Sequence, residues 1–292
     1  MLVSIIIPTY NDWKRLSLCL NALENQSFSK NDFEIIVVNN NPANSMPEGY
    51  IIPSNCTVMT EARPGSYASR NAAVKVARGK IIGFTDSDCI PDKDWIANAI
   101  AYFQKNISVM RIGGKVELFY LSGSPNKVEI YDSIYAFNQT GYVKKHGTAV
   151  TANMFTYKNV FDKIGLFNEK LLSGGDFHWG TVAFSKGLKI DYVENVVVKH
   201  PARHQLSDLI RKEKRVGGGQ AGFIARESKL KALGKFLFEL RPRASAAKYI
   251  IQKGKELSYA DLALVYLMHQ YFVSIRALSK FKVQIGYKAE RL

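Results

Sequence analysis

Three short apolar runs, each ending in a polar cluster, constrain this chain more than any other feature. Residues 3–7 lead into Pro8-Thr9-Tyr10-Asn11, residues 33–38 into Asn39-Asn40-Asn41-Pro42, and residues 81–84 into Thr85-Asp86-Ser87-Asp88. Near-continuous hydrophobicity, rather than strict alternation, is what a strand buried on both faces requires, and a parallel sheet covered by helices supplies that setting. Between the first two runs, residues 13–25 place Leu16, Leu20 and Leu23 on one helical face, with Asn11 or Asp12 available as a cap. Strand, helix, strand is a parallel βαβ unit. Open α/β sheets bind ligands beyond the carboxyl ends of their strands, where the polar clusters of this chain fall.

The third run carries the most specific chemistry. Asp86 and Asp88 are spaced i, i+2 at a strand end, and Pro91 then stops the pairing because it has no N–H to donate. Two carboxylates that close repel each other unless a cation lies between them, and hard oxygen ligands suit Mg²⁺ or Mn²⁺. A metal-diphosphate site is one reading; turn residues, with Asp88, Asp92 or Asp94 capping a helix, is the other. Upstream, residues 56–60 offer a short strand, and residues 62–71 form a turn that opens a small-residue helix. Gly65 lets the backbone approach a ligand, and a helix N-terminus with Arg70 favours a diphosphate, although Arg70 by itself also reads as a solvated surface residue.

Ile5-Ile6-Ile7-Pro8-Thr9-Tyr10-Asn11, Glu34-Ile35-Ile36-Val37-Val38, Arg70-Asn71-Ala72 and Thr85-Asp86-Ser87-Asp88, in this order and spacing, resemble the signature blocks of the family 2 glycosyltransferases. The resemblance implies the GT-A fold: an α/β, Rossmann-like, mostly parallel sheet flanked by helices. It also implies inverting transfer of a sugar from a nucleotide-diphosphate sugar, with a divalent metal on the diphosphate. In such proteins the residues equivalent to Pro8, Thr9, Tyr10 and Asn39 contact the nucleoside, Asp88 ligates the metal, and Asp86 lies nearer the ribose and sugar. One departure is Asn39, where the family usually has Asp. An inverting transfer needs a carboxylate within reach of the acceptor hydroxyl. Asp176 in Ser173-Gly174-Gly175-Asp176 is similar in position to the second acid of the family's acidic pair, and Gly175 stands where the first is common. Asp176 also reads as the N-cap of a helix over 177–186. His200, 24 residues further on, is similar in placement to the histidine that completes the metal shell with Asp86 and Asp88, and an imidazole suits Mn²⁺ better than Mg²⁺. Asn153 resembles an asparagine beneath the transfer site, and Gly113-Gly114 reads as a place where a sugar approaches a strand.

Charge divides the chain. Of a net charge of +15, most lies beyond residue 200, where 19 Lys and Arg face 7 Asp and Glu. This suggests a catalytic domain over 1–203 and a basic, mainly helical extension over 204–292, with Gly217-Gly218-Gly219 as a hinge or helix stop. Leu230, Leu233, Phe236, Leu237 and Leu240 share one helical face flanked by Lys229, Lys231, Lys235, Arg241 and Arg243. A basic amphipathic helix of this kind reads as an anchor on an anionic leaflet. Packing on the catalytic domain, or a homo-oligomer interface, accounts for the same pattern. No nucleic-acid signature accompanies the charge.

Three scattered cysteines (Cys19, Cys56, Cys89) argue against a disulfide framework, and the longest apolar stretch, 262–274, is too short to span a bilayer. The expected location is cytoplasmic, at the inner face of the cell membrane. The expected acceptor is a saccharide or lipid-linked saccharide in bacterial-type surface polysaccharide synthesis. Two alternatives stay open: a nucleotidyltransferase, which would need a glycine-rich basic turn where Pro8-Thr9-Tyr10-Asn11 stands, and a catalytically retired sugar-nucleotide fold serving a membrane assembly.

Overall fold

A computed structural model describes residues 2–171, 173–222 and 228–289. In chain order the strands are β1 (Val3–Thr9), β2 (Phe33–Asn39), β3 (Cys56–Thr60), β4 (Ile81–Phe84), β5 (Ile90–Pro91), β6 (Arg111–Phe119), β7 (Met154–Tyr157) and β8 (Ile190–Pro201). The helices are α1 (Trp13–Glu24), α2 (Ser66–Val76), α3 (Trp95–Lys105), α4 (Lys127–Tyr135), α5 (Gln139–His146), α6 (Asn159–Ile164), α7 (Gly175–Ser185), α8 (Leu206–Ala221), α9 (Lys229–Glu239), α10 (Ala244–Lys253) and α11 (Tyr259–Gln284).

The strands form one sheet in the order 3-2-1-4-7-6-8-5. β1, β2, β3 and β4 run parallel, as do β6 and β8, whereas β7 and β5 pair antiparallel with their neighbours. Successive residues of β1 and β2 enter opposite cores: Val3, Ile5, Ile7, Phe33, Ile35 and Val37 join one with α1 and α3, while Ile6, Ile36 and Val38 join the other with α2 and α7. That two-sided burial is why these strands lack alternation, and each buried Ile or Val contributes about 1.5–3 kcal/mol.

The described residues group into two compact units. The first comprises residues 1–119, 137–170 and 175–201 and holds the whole sheet. The second comprises residues 120–136, 171–174 and 202–292, so the basic extension shares its unit with α4. Its core is Ile130, Tyr131, Ile134, Leu209, Ile250, Val265 and Phe272. Buried charges are paired within it: Asp132 lies 3.4 Å from both Arg203 and Lys212, and Arg276 bonds Glu213 at 2.5 Å.

Two glycine readings need correction. Gly217-Gly218-Gly219 is neither hinge nor stop but lies inside α8, where a Cβ on Gly217 would come within 2.4 Å of the Arg276 carbonyl on α11. Gly113-Gly114 offers a sugar no space. A Cβ on Gly114 would meet the Val196 carbonyl at 2.2 Å and the Asn153 amide at 2.5 Å.

Candidate active site

The parallel register carries the nucleoside candidates to one edge. Thr9 pairs with Asn39 across β1 and β2, and both are buried, while Tyr10, one residue past the strand, is 63% exposed. The Thr9 hydroxyl is buried and has no hydrogen-bond partner among the described residues. Asn39 is fully committed: its amide donates to the carbonyls of Asn41 (3.1 Å) and Asn44 (2.9 Å) and accepts from the Asn41 N–H (3.0 Å). Asn11, at φ 54°, accepts from the amides of Asn41 and Asn44. The next residue, Asn40, accepts from Gly65 N–H at 2.6 Å and donates to the carbonyls of Glu61 and Arg63, tying the β2 end to the loop before α2. Gly65 adopts φ +114°, a region that only glycine enters at low cost, and the space where a Cβ would lie is open.

Beyond β4 the two acids part company. Asp86 bonds Arg70 at 2.5 Å, and Arg70 is 3% exposed, so Arg70 is no solvated surface residue. Asp88 instead faces His200. The antiparallel pairs Ile90–Lys199 and Pro91–Val198 bring β5 onto β8, and one or two steps back along that ladder Cys89 and Asp88 reach His200. His200 Nε2 lies 3.5 Å from Asp88 Oδ2. Among the described residues, Asp88, Cys89 and His200 are the three whose ligand atoms lie within 4.8 Å of one another, and Asp86 stands outside that group. Burial, reinforced by Asp86 and Asp88, pushes the Cys89 thiol well above its ordinary pKa, so it stays protonated.

The donor chemistry fits a divalent cation. His200 Nδ1 lies 2.7 Å from the Pro201 carbonyl, which can only accept, so Nδ1 carries the proton in the neutral ring and Nε2 turns a lone pair toward Asp88. Two acceptors then face each other, a conflict that a divalent cation held by both would remove. The His200 ring is fixed by Phe137 at 4.6 Å. Arg15, half exposed, holds Asp88 Oδ2 at 3.3 Å and Asp12 at 2.8 Å.

Asp176 lies in the first turn of α7 and not at its cap, because the helix already includes Gly175. Its carboxylate accepts from Tyr67 Oη (3.0 Å), Phe177 N–H (2.9 Å) and Thr151 N–H (3.3 Å). Burial, then the Asp176 charge, raises the Tyr67 pKa above its usual value, so the phenol remains a donor. Tyr67 also explains Gly175: a Cβ there would lie 2.7 Å from the tyrosine ring. Arg70 stacks over the same ring at 5.7 Å, linking the Asp86 and Asp176 ends of the site. Tyr67 and Arg15 had no recognisable sequence signal. Asn153 is spent on structure, accepting from Trp95 Nε1 and donating to the carbonyls of Lys115 and Val196.

Comparison with known proteins decides the affiliation. The family model described as glycosyl transferase family 2 matches residues 4–165, more than half of the chain. The chain belongs to glycosyl transferase family 2. Glycosyltransferase AglE of Haloferax volcanii is 33% identical over 226 residues, covering 75% of this chain and 72% of AglE. A dolichyl N-acetyl-α-D-glucosaminyl phosphate 3-β-D-2,3-diacetamido-2,3-dideoxy-β-D-glucuronosyltransferase of Methanococcus voltae is 22% identical over 253 residues, covering 81% of this chain and 78% of the relative. Among solved structures, the mannosyltransferase PcManGT of Pyrobaculum calidifontis, in complex with GDP-Man and Mn²⁺, superposes with a TM-score of 0.61 at 18% identity, covering 95% of this chain and 86% of that one. The family 2 protein is therefore a glycosyltransferase with the GT-A fold. Among its described residues, no helix is long and apolar enough to cross a membrane.

Proposed function

We propose that this glycosyltransferase catalyses inverting, metal-dependent transfer of a sugar from a nucleotide-diphosphate sugar to a hydroxyl of a saccharide or lipid-linked saccharide in surface glycan synthesis. The observation that carries the reading is the meeting of His200 Nε2 and Asp88 Oδ2 at 3.5 Å, beside an Asp86 already neutralised by Arg70. Support for the donor class comes from the GDP-Man bound to the Pyrobaculum relative, and support for a lipid-linked acceptor from the dolichyl phosphate substrate in the Methanococcus relative's name.

Asp88 and His200 would hold the Mn²⁺ or Mg²⁺, which supplies charge neutralisation to the departing diphosphate. Pro8, Thr9, Tyr10 and Asn39 border the nucleoside, and Arg70 keeps Asp86 oriented toward the ribose and sugar. Asp176 accepts the acceptor proton as the hydroxyl attacks C1 from the face opposite the diphosphate; the C1–O bond to the nucleotide breaks and the configuration inverts. Tyr67 and Thr151 N–H hold that carboxylate in place. The basic second unit seats the enzyme at the cytoplasmic face of an anionic membrane.

Nucleotide release from UDP-, GDP-, dTDP- and CMP-linked sugars, with and without Mn²⁺, tests this directly. One donor class should turn over, and Asp176→Asn should lower that turnover by about 10²–10⁴-fold while donor affinity is kept. Undiminished turnover in Asp176→Asn would remove the base assignment.

A further inference from the structure

Helix α9 points its apolar side chains the wrong way for a water-facing helix. Of its eleven residues only Ala232 is buried. Its inner side is already occupied on α11, where Phe236 stacks on Phe281 at 5.4 Å and Glu239 bonds Lys280 at 2.9 Å. Leu230, Leu233 and Leu237, spaced i, i+3, i+7, lie on the outer side at 81%, 40% and 55% exposure, joined by Phe238. Gly234 sits among them with open space where a Cβ would be. The sequence pattern groups Phe236 with these leucines on one face. The structure splits that face, turning the half-buried phenylalanine onto α11 and exposing the leucines.

The surroundings select the partner. Lys229, Lys231, Lys235, Arg241 and Arg243 are exposed around this stripe, Arg241 lies over the Phe238 ring, and the one acid of the helix, Glu239, is taken by Lys280. An apolar stripe rimmed by cations complements a surface that is apolar below and negative above. A second copy of the same patch would instead bring like charges together.

We infer that α9 lies in the headgroup layer of an anionic lipid leaflet, with Leu230, Leu233, Leu237 and Phe238 entering the acyl region and Lys229, Arg241 and Arg243 on lipid phosphates. This deepens the reading of a lipid-linked acceptor, and rests on it, by naming the element that meets the membrane and the lipid charge it needs.

The test is flotation of the full-length protein with vesicles of equimolar phosphatidylglycerol and phosphatidylcholine, against pure phosphatidylcholine vesicles. The protein should float with the anionic vesicles only, and raising the salt should release it. Leu230→Asp with Leu237→Asp should lower partition by more than roughly tenfold. Each of Lys229→Gln and Arg243→Gln should cost about fivefold, as one charge at an anionic surface does. Vesicle-free nucleotide release from the donor should be unchanged in all of these; its absence in the unaltered protein would indict the transferase reading and not this one. Equal binding to neutral vesicles, undiminished partition in the leucine variant, or a solution dimer that Leu237→Asp dissociates would overturn the inference.

Discussion

Replacing Gly175 by alanine separates two accounts of why a glycine stands beside Asp176. If only backbone propensity mattered, alanine would be neutral or better, since it is favoured in helices by up to about 1 kcal/mol. The geometry demands the opposite sign. The new Cβ would lie 2.7 Å from Tyr67 Cε2 and 2.8 Å from both Cδ2 and Cζ. Carbon atoms need about 3.5 Å, so the ring must retreat by nearly 1 Å. It has little room, being 7% exposed and packed on Phe167 at 5.8 Å. Retreat stretches the 3.0 Å bond from its hydroxyl to Asp176 past useful length. Overpacking costs about 1–3 kcal/mol, and loss of a hydrogen bond to a charged group about 1.5–3 kcal/mol. Gly175→Ala should therefore destabilise by about 2.5–6 kcal/mol in urea titrations. In a Tyr67→Ala background the same change should cost nearly nothing, leaving a coupling energy of at least about 1.5 kcal/mol. Donor turnover should fall about tenfold or more in Gly175→Ala, because the proposed base loses its orienting donor. Additive stabilities across the four proteins would refute the reasoning.

Asn39→Asp, which restores the acid usual in the family, should destabilise by about 1–3 kcal/mol rather than improve nucleotide affinity, because a carboxylate would face the Asn41 and Asn44 carbonyls. Thermal unfolding with isothermal titration of nucleotide checks both parts. Glu34 gives a pH signature. Burial opposes its ionisation, but the Ser4 hydroxyl at 2.6 Å and the Arg78 N–H groups at 2.7 and 2.8 Å outweigh it and hold its pKa below the ordinary value. Its stabilisation is thus complete above the unfolded pKa of about 4.3 and is lost as the pH falls through the folded value. Glu34→Gln should flatten that acid limb in denaturation curves taken from neutral pH downward; an unchanged limb would assign the acid sensitivity elsewhere.

The sheet was legible because burial on both faces writes itself into composition: residues 33–38 and 81–84 were read as buried strands, and β2 and β4 are buried throughout. Asp86, Asp88, Arg70 and His200 were legible as types in signature blocks, but their division of labour was not. Only the β5–β8 pairing shows that His200 meets Asp88, and only the packing of α2 shows that Arg70 belongs to Asp86. The glycines were misread for one shared reason. In sequence a glycine signals freedom, whereas at 114 and 217 it makes room for Asn153 and α11. Tyr67 left no trace in spacing, since a tyrosine in a small-residue helix looks like core. The outward leucines of α9 share one helical periodicity with the inward Phe236, and periodicity cannot say which part of a wide stripe faces water.

The central claim is that Asp88 and His200 hold a divalent cation beneath a nucleotide diphosphate. Isothermal titration of UDP and GDP into the full-length protein, with Mn²⁺ and with EDTA, measures it most directly. One nucleotide should bind in Mn²⁺ and lose at least about tenfold in affinity with EDTA, and Asp88→Asn and His200→Ala should each abolish that metal dependence. Equal affinity with and without metal, or metal dependence that survives both substitutions, would contradict the account.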